Sequence, residues 1–157
     1  MTASTAPRVS IELDVAGAFR ELVLATHSFR QAWASRLGIN YIDTVAMSYL
    51  AISRVLQAGE LAVQLGVSAG TMTAVLDRLE HAGLINRDRS EADRRALDIS
   101  LTELGNRVVV QTQAGLTRMS KAAEVPAEVL MAAMVRMRDA MIVEVSKVAD
   151  AEIVALS

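Results

Sequence analysis

The chain has 157 residues, with 16 Lys or Arg against 18 Asp or Glu and no cysteine. That length fits one domain with a real core. The missing cysteines exclude disulfides, thiolate metal sites and thiol redox sensing. The hydrophobic fraction is 52%, yet no apolar run approaches the ~18 residues of a membrane helix. The apolar excess is therefore expected in a subunit interface rather than a bilayer. The opening MTASTAPRVS has neither a basic start nor an apolar signal core, and a cytoplasmic location is expected.

Residues 1–9 are expected as a loose arm. Residues 10–36 read as a long helix, because Leu13, Ala16, Phe19, Leu22, Val23, Phe29 and Trp33 recur at helical spacing. Gly38 to Tyr41 is a break, and 43–52 is a second helix with Asp43 as its N-cap. Leu61, Ala62 and Leu65 then give a short helix its apolar face, and Ala62 is small enough for another helix to cross closely. Gly66 falls where the chain must leave that helix, through a left-handed conformation that glycine tolerates. Val67 plugs the corner, and Ser68 caps the next helix. Met72, Val75, Leu76 and Leu79 face the core from that helix, which ends at Gly83. Leu84-Ile85 and Leu97, Ile99, Leu101 read as two strands, joined through the charged tip Asp93-Arg94-Arg95. Thr102 caps a helix running to about Ala123. Pro126 marks a boundary, and 127–155 is a last helix striped by Leu130, Met134, Met137, Met141, Val145 and Val148.

The order helix, turn, helix, hairpin over 59–105 presents one helix and one hairpin tip on the same side, where they can straddle the grooves of a duplex. Its motifs are ELAVQLGVS, then TMTAVLDRLEHAGLI, then DRRALDISLTELG. The set resembles the winged helix-turn-helix of MarR-family transcriptional regulators. Asp-x-Arg at the wing tip (Asp93 to Arg95), followed by Leu-Thr-x-x-Gly (Leu101 to Gly105), is the most distinctive part. The resemblance implies a mainly α fold with a small β-hairpin wing and terminal dimerisation helices. It implies one domain over 1–157, with 10–42 and 102–157 as dimerisation helices and 43–101 as the DNA-binding lobe. It further implies a homodimeric regulator of a double-stranded DNA operator, a repressor released by a small-molecule effector. A winged-helix adaptor that binds protein, without operator specificity, is the competing reading.

The candidate DNA-binding residues are Ser68, Thr71, Thr73, Arg78, Arg87, Arg89, Asp93, Arg94 and Arg95. The resemblance gives Arg95 the minor groove, Asp93 the role of bracing it, and Arg94 a phosphate. No Arg, Asn or Gln occupies the first two turns of the second short helix, so the side chains best suited to bidentate base reading are missing there. Residues 68–101 carry five Arg against six Asp or Glu. Phosphate attraction must therefore come from sorting the arginines outward and the acids away. By resemblance, an effector pocket lies between the lobe and the dimer helices. The candidates are His27, Arg30, Trp33, Tyr41, Met47 and Tyr49, a ring wall and basic group suited to an aromatic carboxylate or phenol. Ordinary helix packing explains the same residues equally well. His27 and His81 lie on different elements, and no HExxH, GxSxG, P-loop or GxGxxG appears. No catalytic residue, metal or cofactor is expected.

Overall fold

The computed structural model describes residues 7–90 and 96–150, with side chains from residue 15 onward except 119 and 148–150. The wing tip, including Asp93, Arg94 and Arg95, lies outside the described residues, as do the side chains of Leu13 and Val148.

Six helices and three strands follow in the order α1 (Pro7–Leu37), α2 (Tyr41–Ser53), β1 (Val55–Gln57), α3 (Ala58–Leu65), α4 (Ala69–His81), β2 (Ile85–Arg89), β3 (Leu97–Leu101), α5 (Glu103–Lys121) and α6 (Ala127–Asp150). The chain divides into two compact units, residues 1–112 and 113–157.

In the first unit, short-range chemistry sets the boundaries. Gly66 takes φ 64° and ψ 34° and closes α3, its N–H reaching the Ala62 and Val63 carbonyls. Ser68 caps α4 by accepting the Thr71 N–H at 3.2 Å. Both follow from the local sequence. The second helix departs from expectation. It begins at Tyr41 with Asn40 as N-cap, not at Asp43. Asp43 sits one turn in and accepts the Asn40 N–H at 2.8 Å, the reciprocal half of a capping box. The first helix likewise starts at Pro7 rather than 10, because proline has no N–H to lose in a first turn.

The sheet has three strands rather than two, in the order β1-β3-β2, all antiparallel. β1 pairs Val55 with Ser100 and Leu56 with Ile99. Three residues carry too short a pattern to read alone, and β1 gains its ladder only from a strand far downstream. Leu50, Leu61, Leu79, Leu84, Val75 and Ile99 are fully buried. They seal α2, α3, α4 and the sheet into one core.

The Leu-Thr-x-x-Gly motif explains how that core closes. The Thr102 hydroxyl donates to the Gly83 carbonyl at 2.7 Å and accepts the Gly105 N–H at 3.0 Å. It thus caps α5 and ties that helix to the exit of α4. Gly105 lies so close beneath Leu84 that any Cβ would overlap the Leu84 carbonyl oxygen.

The second unit contains the end of α5 and all of α6. Met131, Met134, Met137, Met141, Ile142 and Val145 are each about half exposed or more. The apolar periodicity of α6 is therefore a surface property of the single chain.

Candidate nucleic-acid interface

The direction of α4 is set by what it buries. Met72, Val75, Leu76 and Leu79 point into the core. Ser68, Ala69, Gly70, Thr71, Thr73, Ala74 and Asp77 are exposed as a result. The predicted Ser68, Thr71 and Thr73 thus share the outer surface of the first two turns. Their hydroxyls are engaged locally: Ser68 Oγ lies 3.0 Å from Thr71 Oγ1, and Thr73 Oγ1 donates to the Ala69 carbonyl at 3.0 Å.

The arginines divide. Arg78 was expected to face outward, but its Nε and Nη2 donate to Asp43 Oδ2 and Oδ1 at 2.8 and 2.7 Å. Asp43 is fully buried while the Arg78 side chain is one-third exposed. A carboxylate out of water needs compensation, and the bidentate guanidinium plus the Asn40 N–H provide it. The hydrogen bonds to Asp43 hold the Arg78 guanidinium above the ordinary arginine pKa, against the opposing pull of desolvation. A raised folded pKa leaves this contribution complete below arginine's ordinary value and lost only as pH climbs through the higher one. The pair is thus insensitive to Arg78 titration at working pH.

Arg87 was also expected outward. It lies on the inner face of β2 under α4, and its Nη2 donates to Asp77 Oδ1 at 2.7 Å. Its Nε is 3.0 Å from Glu80 Oε2. That atom is not aligned for a hydrogen bond, so the second contact is Coulombic. Arg78 and Arg87 therefore brace α4 from two sides, to α2 and to β2. Both could have been read from periodicity. Asp43 shares the inward stripe of Ala46, Met47 and Leu50 on α2, and Arg87 shares the strand face of Ile85. What the sequence did not reveal is the pairing, which joins residues 35 apart for Arg78 and 10 apart for Arg87.

Arg89 remains on the exposed end of β2. Asp88 stands directly opposite Asp98 across β2 and β3, on the other face of the sheet from Ile99. That acidic pair repels phosphate, so this face of the hairpin is unsuited to a DNA backbone.

The six effector candidates do not share one surface. Met47 is a core residue, 2% exposed, and Tyr49 packs against that core. The His27 and Tyr41 rings lie 4.3 Å apart with a 33° tilt. Arg30 Nη1 donates to Ser48 Oγ at 2.9 Å, tying α1 to α2. Trp33 borders a shallow depression of about 150 Å3 with Phe29, Ala32 and Arg36. A larger groove of about 460 Å3 is lined by Leu37, Gly38, Asp77, Arg78, His81 and Ala82, and contains none of the six.

A MarR-family model matches residues 47–97, from the middle of α2 to the first residue of β3. The HTH-type transcriptional regulator YcgE of Bacillus subtilis (strain 168) is 37% identical over 92 residues, 59% of this chain and 60% of its own length. The organic hydroperoxide resistance transcriptional regulator of the same organism is 41% identical over 70 residues, 45% of this chain and 48% of its own. The chain thus spans about half to three-fifths of these curated relatives. The S. aureus MepR–DNA complex shares the fold with a TM-score of 0.59 at 20% identity, covering 79% of this chain and 98% of that one. The matched segment is the lobe whose turn and cap are described above, and over that lobe the chain is similar to the MarR family of winged helix-turn-helix proteins.

Proposed function

We propose that the protein is a DNA-binding transcriptional regulator, working as a homodimer and repressing until a small-molecule effector releases it. The observation that carries this reading is the outward face of α4. A buried stripe and two ion-pair braces fix the helix from behind, while its first two turns stand exposed. Small side chains there suit insertion into a major groove. Ser68, Thr71 and Thr73 are proposed to meet the groove, and Arg89, Arg94 and Arg95 the backbone and minor groove, with Asp93 steadying the tip. Arg78 and Arg87 are proposed to act indirectly, by holding α4 at its angle. The role is binding, not catalysis, and the place of action is the cytoplasm.

Dimerisation is supported by the apolar surface outside the lobe. Leu22, Val23 and Leu24 on α1, Val110 on α5 and the methionines of α6 are all about half exposed or more. A second copy of the chain would cover such stripes by matching helix to helix. An effector acts only if it binds one lobe arrangement better than another. An aromatic carboxylate or phenol remains the proposed class, with the His27–Tyr41 pair and Trp33 as its remaining ring contacts. The relative named for organic hydroperoxide resistance invites comparison, but a chain without cysteine has no thiol with which to sense a peroxide.

The test is selection of bound sequences from a random duplex pool with the purified protein, followed by titration of the winner and a scrambled duplex at several salt concentrations. A regulator enriches one two-fold-related sequence, and its affinity falls linearly with salt on logarithmic axes. Enrichment of no sequence, with salt-independent or absent binding, moves the assignment to a protein-binding adaptor.

A further inference from the structure

We infer that the recognition helix α4 discriminates bases through its methyl groups, reading the 5-methyl of thymine rather than donating hydrogen bonds to base edges. This rests on the DNA-binding reading above and names the chemistry by which that site would select its sequence.

Few hydrogen-bond donors are free on this face. A hydroxyl carries one hydrogen. The Thr73 hydrogen is given to the Ala69 carbonyl at 3.0 Å within the helix. Ser68 Oγ and Thr71 Oγ1, 3.0 Å apart, share one hydrogen between them. One hydroxyl hydrogen therefore remains, at the cap of the helix, where a phosphate rather than a base edge is the natural partner. No Arg, Lys, Asn or Gln occurs from 68 to 76. The first ionisable side chain beyond, Asp77, is an acceptor and is already engaged by Arg87 at 2.7 Å.

In the major groove, guanine N7 and O6, adenine N7 and thymine O4 all require a donor. The exposed first two turns of α4 have almost none to give. The side chains exposed there include Ala69, Thr71, Thr73 and Ala74, each of which carries a methyl group. The one apolar feature of the groove edge is the thymine methyl. Gly70 lies on this face, where a Cβ would meet only the Ser68 hydroxyl, at 4.0 Å, and its lack of a side chain removes bulk that would hold the helix away. Short methyl contacts need that depth.

The experiment uses the full-length protein and the duplex it selects. Each thymine of the half-site is replaced in turn by uracil, which deletes only the 5-methyl. Affinity is expected to fall about fourfold at each contacted position and to stay unchanged elsewhere. Two variants separate methyl from hydroxyl. Thr73→Val keeps the methyl and drops the hydroxyl, and is expected to retain the parent's uracil sensitivity. Thr73→Ser keeps the hydroxyl and drops the methyl. It is expected to lose about fourfold and to become indifferent to uracil at one position. Thermal unfolding of both variants within a few degrees of the parent establishes that the fold is intact. Uniform binding of all uracil duplexes, or loss in Thr73→Val with retention in Thr73→Ser, overturns the inference while leaving DNA binding intact. Selection of no duplex at all overturns both.

Discussion

Between residues 34 and 108, apolar side chains close on one another. Leu61, Leu79 and Ile99 have no exposed surface, and the core seals around α2, α3, α4 and the sheet. Along α6 the same residue types do the opposite: Met131 is 64% exposed, Met141 52% and Val145 68%. One helix of a chain cannot bury a stripe without an opposing surface. The lobe supplies its own opposing surface within one chain. For the stripe of α6, a second copy of the chain is the proposed opposing surface. On the proposed dimeric reading the apolar residues do two jobs, folding in one place and association in the other, and substitutions should separate them.

The largest effect is expected on α6. Met134→Glu together with Met141→Glu should weaken self-association by on the order of a thousandfold, since buried unpaired charge costs several kcal/mol. Sedimentation should show a monomer, while circular dichroism retains the helical content of the lobe. If the double variant stays a dimer, α6 is not the association surface and the comparison breaks.

Within the lobe, the effect should fall on stability. Gly105→Ala forces a Cβ into the Leu84 carbonyl, and urea unfolding should show a loss of at least about 2–3 kcal/mol, comparable to overpacking a core. The Arg78–Asp43 pair should respond asymmetrically. Arg78→Ala strands a buried carboxylate and is expected to cost about 3–5 kcal/mol. Asp43→Ala leaves a cation that can turn toward water, and should cost about 1–2 kcal/mol. Equal costs would mean that Asp43 reaches solvent when its partner is removed.

Smaller effects are expected at the surface proposed to meet DNA. Arg94→Ala with Arg95→Ala should weaken binding to operator and scrambled duplex alike. In a dimer it should flatten the slope of log affinity against log salt by roughly 2–4 units, at about 0.9 per phosphate contact. An unchanged slope would make the tip a solvated turn. Least of all, a peroxide dose that oxidises only thiols should leave operator binding unchanged, because there is no cysteine to oxidise. A loss reversed by thiol reductant would refute this.

The sequence by itself determined the elements whose signals are local. Gly66 had to supply a left-handed exit, Ser68 a cap and Thr102 a second cap. The stripe of Met72, Val75, Leu76 and Leu79 fixed which face of α4 is hidden, and therefore which is shown. Each of these depends on residues within a turn or two, so composition and spacing suffice. Tertiary structure alone decided the rest. β1 exists because β3 offers it a ladder. The pairing of Arg78 and Arg87 depends on Asp43, Asp77 and Glu80 standing across a helix–helix or helix–strand contact. A charge read along the chain looks solvated by default. Whether it meets water, phosphate or a buried carboxylate depends on which distant residue the fold brings within 3 Å, and Coulomb interactions at that range outweigh any local preference.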